Sequence, residues 1–220
     1  MKRRVAILIS GRGSNMAALI EAAKPGDFPA EIAVVISNRV DAAGLALAGA
    51  EGIPTVTIES KPFGKDRSAF EAALQSALEA HRIELICLGG FMRLFTAEFV
   101  QRWYGRMLNI HPSLLPSFPG LDPHAQALNA GVKVSGATVH FVTPETDAGP
   151  IVMQGVVPVR DDDTPEALSA RILEIEHRIY PAALRLLASG RLRLEGEICK
   201  LNGNAGSTDT LISPQPTSKV

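Results

Sequence analysis

The sequence predicts an α/β fold: one doubly wound, mainly parallel sheet flanked by helices. Three observations predict it. Short, continuous runs rich in β-branched residues recur along the first half, as expected of strands buried on both faces. Stretches with apolar residues at helical spacing separate them. Late in the chain the pattern changes to apolar-polar alternation, the mark of an antiparallel extension.

In order, residues 5–9 (VAILI) form the first strand and run into the turn Ser10-Gly11-Arg12-Gly13-Ser14-Asn15, with a helix over MAALIEAA. Residues 32–36 repeat the strand signal, and 41–50 read as a helix with Asp41 near its cap. Residues 56–58 are a brief third strand. The helix expected over 67–81 shows one apolar face of Phe70, Ala73, Leu74, Ala77 and Leu78. Residues 85–88 form the fourth strand, closing on Gly89-Gly90, and a short helix over 97–103 leads to a fifth strand at 107–110. That strand delivers LNIHPSLLPSF, in which Asn109 and His111 are two apart and share one side of an extended chain. Pro112 ends the regular structure, so both stand at a strand-to-loop junction, where open α/β sheets bind ligands. His124 is expected to start a surface helix, and His140 to be a hydrogen-bonded core residue. Residues 132–142 and 151–159 form the late pair. Thr164-Pro165-Glu166 opens a long helix through 187, bent near Pro181. The expectation is one domain over 1–200 and a disordered tail over 201–220, where Gly, Asn, Ser, Thr and Pro dominate.

The 220 residues carry 22 basic and 23 acidic side chains, so no global field steers the chain to nucleic acid or an anionic membrane. Two cysteines supply neither a disulfide framework nor a metal cluster and suit a reducing cytoplasm. The basic start resembles a secretory signal, but its apolar run is too short, and no run is long enough to span a bilayer.

Gly11-Arg12-Gly13 invites a dinucleotide reading, yet Met16 stands where the third glycine belongs and Ser37-Asn38-Arg39 where an acidic residue is expected. What remains is a helix N-terminus able to receive one phosphate through backbone N–H groups, Ser14 and Asn15, or else an ordinary capped turn. The local pattern does not choose between them. Acyl transfer to an amine needs oxyanion donors and a proton carrier. Asn109 and protonated His111 are such donors, and Asp147, in the turn TPETDAGP, is a carboxylate able to stabilise the imidazolium. Taken alone, each of these also fits plain turn chemistry. No histidine pair has a recognised metal-ligand spacing.

Assembled in order, LISGRGSN (8–15), SNRVDAAGL (37–45), GGFMRLF (89–95), LNIHPSLLPSFPGL (108–121), TVHFVTPETDAGPIVMQ (138–154) and EHRIYPAAL (176–184) resemble the phosphoribosylglycinamide formyltransferase family of folate-dependent enzymes. The resemblance covers residues 3–195. It implies a seven-stranded sheet and formyl transfer from 10-formyltetrahydrofolate, a co-substrate, to the amine of 5-phosphoribosylglycinamide in purine biosynthesis. It implies that no metal takes part. It implies that Asn109, His111 and Asp147 are catalytic, that Gly13, Ser14 and Asn15 hold the substrate phosphate, and that Glu176 lies near its ribose. Met92, Arg93, Leu94 and Phe95 would line the pterin pocket, with Arg67 and Asn109 as further folate contacts. Relatives often carry His where this chain has Asp122. The implied partners are small molecules, with no nucleic acid and no membrane, and the chain is expected as a cytoplasmic monomer or homodimer. Two alternatives stand beside this: a formyltetrahydrofolate hydrolase, whose family carries an additional N-terminal regulatory domain, and a non-catalytic nucleotide-binding module. Transfer to tRNA is expected to come with a C-terminal nucleic-acid-binding domain.

Overall fold

A strand covered by helices on both faces must be apolar on both, and β1 (Arg3–Ile9) meets that condition, with Val5 through Ile9 fully buried. The structure, a computed structural model, describes residues 1–203 and Ser213. Most of the expected tail therefore lies outside the described residues. The further strands are β2 (Ala30–Ser37), β3 (Thr55–Thr57), β4 (Leu85–Leu88), β5 (Met107–His111), β6 (Val134–Phe141) and β7 (Ile151–Pro158). They form one sheet in the order β3-β2-β1-β4-β5-β6-β7. The first five are parallel, β6 runs antiparallel to β5, and β7 antiparallel to β6. This is the sheet the sequence predicts. Strand order reverses between β1 and β4, so the crevice at their carboxyl ends is where such sheets bind ligands.

Helices α1 (Ser14–Ala23), α2 (Ala43–Ala50) and α6 (Pro165–Ala188) contribute to one core, and α3 (Arg67–Ala80) with α4 (Ala97–Arg102) to the other. A short α5 (Pro123–Asn129) follows the β5 loop. The cap expected from Asp41 is not made: Ala42 precedes α2 without a side-chain bond, and Asp41 pairs with Arg39 instead. A guanidinium two residues away offers that carboxylate two charge-assisted bonds, more than one helix N–H would give. α6 continues past Pro181 to Ala188 as one helix. Beyond 191, where no strand is expected, β8 (Leu192–Glu195) and β9 (Ile198–Leu201) form a hairpin on a two-residue turn, with Gly196 at φ 60°. Leu201 therefore ends a strand rather than starting the tail.

Tyr180 of α6 ties the helix to the sheet, its fully buried hydroxyl shared between the carbonyls of Leu88 and Leu108 at 3.0 Å each. Cys87 lies beside it in β4, and burial pushes its thiol up to about 12. At the other end of α6, Arg171 grips Asp163 through two 2.8 Å hydrogen bonds and reaches the Pro158 carbonyl. Those bonds hold the Asp163 carboxyl down at about 2. An unfolded Asp titrates near 4, so the pair stabilises the fold fully above about pH 4 and loses that contribution as pH falls toward 2. Urea midpoints of the native chain and Arg171→Ala should differ at pH 7, with the gap about halved near pH 3 and closing toward pH 2; a gap that stayed constant would remove the pair as the cause. Among the described residues no helix is long and apolar enough to cross a membrane.

Candidate active site

Three carboxyl ends converge on one cleft of about 800 Å³: the turn after β1, the 89–96 segment after β4, and the end of β5. Ser14, Asn15, Met92, Arg93, Leu94, Phe95, Asn109, His111, Asp147 and Glu176 all line it. Gly13 stands just outside as the residue preceding α1, with φ 76°. A Cβ there would come within 3.1 Å of the Gly44 backbone, so the turn needs glycine on both counts. Arg67 opens α3, exposed, and does not line the cleft.

The turn is not capped by Ser14 or Asn15. The Asn15 amide instead donates to Glu176 Oε2 at 2.8 Å, a bond between residues 161 apart in sequence, while its own buried oxygen has no partner. Burial raises the Glu176 pKa, opposed by that hydrogen bond. A carboxylate and an amide oxygen at the opening turn of a helix form an acceptor pair suited to hydroxyl groups, while the helix N–H groups suit an anion.

β5 extends one residue further than its apolar run, so His111 belongs to the strand and pairs with Thr138, while Asn109 pairs with His140. All four side chains share one face of the sheet. His140 Nδ1 donates to the Phe141 carbonyl at 2.9 Å, which leaves Nε2 as the acceptor for the Asn109 amide at 3.2 Å. Burial lowers the His140 pKa, opposed chiefly by that bond to Phe141, and the neutral ring suits this arrangement. One Asn109 N–H is thereby fixed and the second remains available to the cleft. His140 is thus a core histidine as expected, and also the residue that orients Asn109.

Both ring nitrogens of His111 face acceptors: Nε2 meets the Phe118 carbonyl at 3.0 Å and Nδ1 the Asp147 carboxylate at 3.4 Å. A neutral ring has one N–H and would leave a lone pair facing an acceptor. A ring carrying both N–H groups would satisfy the two acceptors together. Asp147 arrives by an indirect route. The amide of Val142 bonds Met107, at the far end of β5, so the 143–150 turn folds back along the sheet to reach His111. Asp147 sits at φ 54° and accepts the Gly120 N–H at 2.8 Å, which joins its turn to the loop after β5. That loop is itself pinned by Thr138, whose hydroxyl donates to the Ser113 carbonyl at 2.7 Å and accepts the Leu115 N–H at 3.0 Å.

His124 does not simply start a surface helix. Pro123 is the first residue of α5, and His124 turns half-buried into the cleft, its Nε2 without a partner. Burial lowers its pKa, and the proximity of His111 lowers it further. The sequence reading missed Thr138 and His124 as neighbours of His111, and His140 as the partner of Asn109. Alternation along 138–142 put Thr138 and His140 on one face, but the register that sets them against β5 was not legible. Among the described residues no group of three or more His, Cys, Asp or Glu could hold a metal ion.

Comparison with known proteins gives concordant results. The formyl transferase family matches residues 3–184. The phosphoribosylglycinamide formyltransferase of Haemophilus influenzae is 42% identical over 203 residues, 92% of this chain and 95% of its own length. The trifunctional purine biosynthetic protein adenosine-3 of Bos taurus is 51% identical over 200 residues, 90% of this chain; the chain spans about a fifth (20%) of that protein's length. The crystal structure of glycinamide ribonucleotide transformylase 1 from Symbiobacterium toebii superposes with a TM-score of 0.88 at 48% identity, covering 91% of this chain and 94% of that one. On sequence and fold alike, the chain belongs to the formyl transferase family.

Proposed function

We propose that the chain transfers a formyl group from 10-formyltetrahydrofolate to the amine of 5-phosphoribosylglycinamide, a step of purine biosynthesis that yields phosphoribosyl-N-formylglycinamide and tetrahydrofolate. One observation carries the reading: a single cleft joins the N-terminus of α1, where Asn15 meets Glu176 of α6, to the cluster of Asn109, His111 and Asp147. The names of the bacterial relatives support the choice of amine.

The chemistry of the cleft suits both substrates. A phosphate fits the α1 N-terminus and the Ser14 hydroxyl, with Asn15 and Glu176 beside the sugar. On the other side, the apolar side chains of Leu88, Leu94, Val100 and Val142 suit a flat heterocycle, and Met92 to Phe95 bound it. When bound, the folate supplies a formyl carbon carried on nitrogen. Attack by an amine turns the formyl oxygen into an oxyanion, releases a proton from the amine and requires one at the leaving nitrogen. Asn109 meets the oxyanion with the N–H that His140 leaves free. His111 meets it with Nε2–H, released from the Phe118 carbonyl, while Nδ1–H stays with Asp147. Asp147 holds the ring in place through Nδ1, so Nε2–H is the group left to face the oxyanion. An ordered water carries the proton between the nitrogens.

Incubation with 10-formyltetrahydrofolate, with and without phosphoribosylglycinamide, tests the reading by tetrahydrofolate release. Amine-dependent release is expected. Release without amine would instead mark a hydrolase, and no release a binding module. Ser14→Ala combined with Asn15→Ala should weaken the phosphorylated substrate by about 10- to 100-fold in KM with little change for the folate. Equal loss for both substrates would sink the phosphate assignment.

A further inference from the structure

The 89–96 segment has no regular secondary structure, yet two buried side chains from other elements hold it at both ends. Ser10, at the carboxyl end of β1 and 7% exposed, accepts the Met92 N–H at 2.8 Å. The same hydroxyl donates to Asn38 Oδ1 at 2.6 Å, and the Asn38 amide donates to the Ser60 hydroxyl at 3.3 Å. At the other end Glu71 of α3, 6% exposed, accepts both the N–H and the hydroxyl of Thr96, at 2.6 and 2.5 Å.

Between these anchors the chain alternates as an extended strand does. Phe91 and Phe95 stack at 5.5 Å between centroids, Phe95 stacks on Phe99 at 4.7 Å, and the Arg93 guanidinium lies 4.6 Å over Phe70. Met92 and Leu94 point the other way, 70% and 57% exposed. Among the described residues, neither the N–H nor the C=O of Arg93, Leu94 or Phe95 has a protein partner. The result is a short extended edge, fixed at its ends and unpaired along its middle, on the wall of the cleft.

We propose that Ser10 and Glu71 are positioning residues, which pre-form this backbone edge for hydrogen bonding to the heterocycle of the formyl donor. The inference rests on the formyl-folate reading of the cleft and adds to it the source of the edge's rigidity. An unanchored segment would have to order as the ligand arrives, and that ordering costs affinity. Ser10 makes the contrast sharp. Its backbone leads directly into the Gly11–Asn15 turn, but its side chain serves the 92–96 edge, so removing the hydroxyl should affect one substrate and not the other.

Amide exchange followed by NMR on the unliganded native chain tests the anchoring without any substitution. The Met92 and Thr96 amides should be protected and those of 93–95 fast, with 93–95 becoming protected when tetrahydrofolate is added. In steady-state kinetics, Ser10→Ala and Glu71→Ala should each raise KM for the formyl donor about tenfold, leaving kcat and KM for phosphoribosylglycinamide within about threefold. Met92 and Thr96 amides exchanging as fast as 93–95 would overturn the proposal, as would both KM values rising together in a folded variant. If tetrahydrofolate protects nothing in the native cleft, the folate reading itself fails. Protection at 93–95 with neither substitution changing KM would overturn the anchoring alone.

Discussion

Replacing His111 with alanine is expected to lower kcat about a thousandfold, with KM for each substrate within about threefold. The ring contributes little binding surface, since it is buried against the protein: its two nitrogens are taken by Phe118 and Asp147, and only 8% of the side chain is exposed. On the proposed mechanism its contribution is Nε2–H, released from the Phe118 carbonyl to meet developing charge, and alanine supplies none. The substitution also leaves a cavity and removes a partner from Asp147. Rapid mixing of enzyme saturated with both substrates would separate the chemical step from product release. Near-normal single-turnover rates in a folded variant would take His111 out of the mechanism.

Asp147→Asn should cost about a hundredfold in kcat. The residue sits at φ 54°, a conformation that Asn adopts as readily as Asp, so the 143–150 turn is kept. The Asn oxygen can still accept the Gly120 N–H that Asp147 now holds at 2.8 Å. That oxygen is also the one 3.4 Å from His111 Nδ1, so an acceptor stays in place there; what the variant removes is the negative charge facing the ring. Because both residues act through one ring, their effects should not add. His111→Ala with Asp147→Asn should be scarcely slower than His111→Ala alone, and a double variant slower by the product of the two losses would show that they work independently.

The parallel strands were legible because burial on both faces demands continuous apolar runs, and 5–9, 32–36 and 85–88 have nothing else. Helix spans followed from spacing. Caps did not, because a cap is a competition: Asp41 had a better partner in Arg39 and Asn15 in Glu176, the second contributed by a helix more than a hundred residues away. The β8–β9 hairpin carried its own signal in the alternation and glycine turn of LRLEGEICKL, which the polar stretch beyond it obscured. In the site, Asn109 and His111 were legible as a pair from their spacing. The 143–150 turn reaches His111 only by doubling back along the sheet, a path set by the antiparallel register of β5 and β6 that no local pattern encodes. His140 read as a core residue for the same reason, since its contact with Asn109 exists only through that register. Ser10 and Asn38 were passed over because a lone Ser or Asn at a strand end has no distinguishing context until the loop it holds is known.

Cys87 occupies the centre of the sheet, between the strand that leads to the Gly11–Asn15 turn and the strand that carries Asn109. Its thiol is sealed from solvent and held protonated, so an alkylating reagent can reach it only when β4 separates from its neighbours. The rate at which Cys87 is trapped is thus a built-in clock for opening of the sheet, and a ligand bound across β1, β4 and β5 would slow it in proportion to how tightly it holds those strands together.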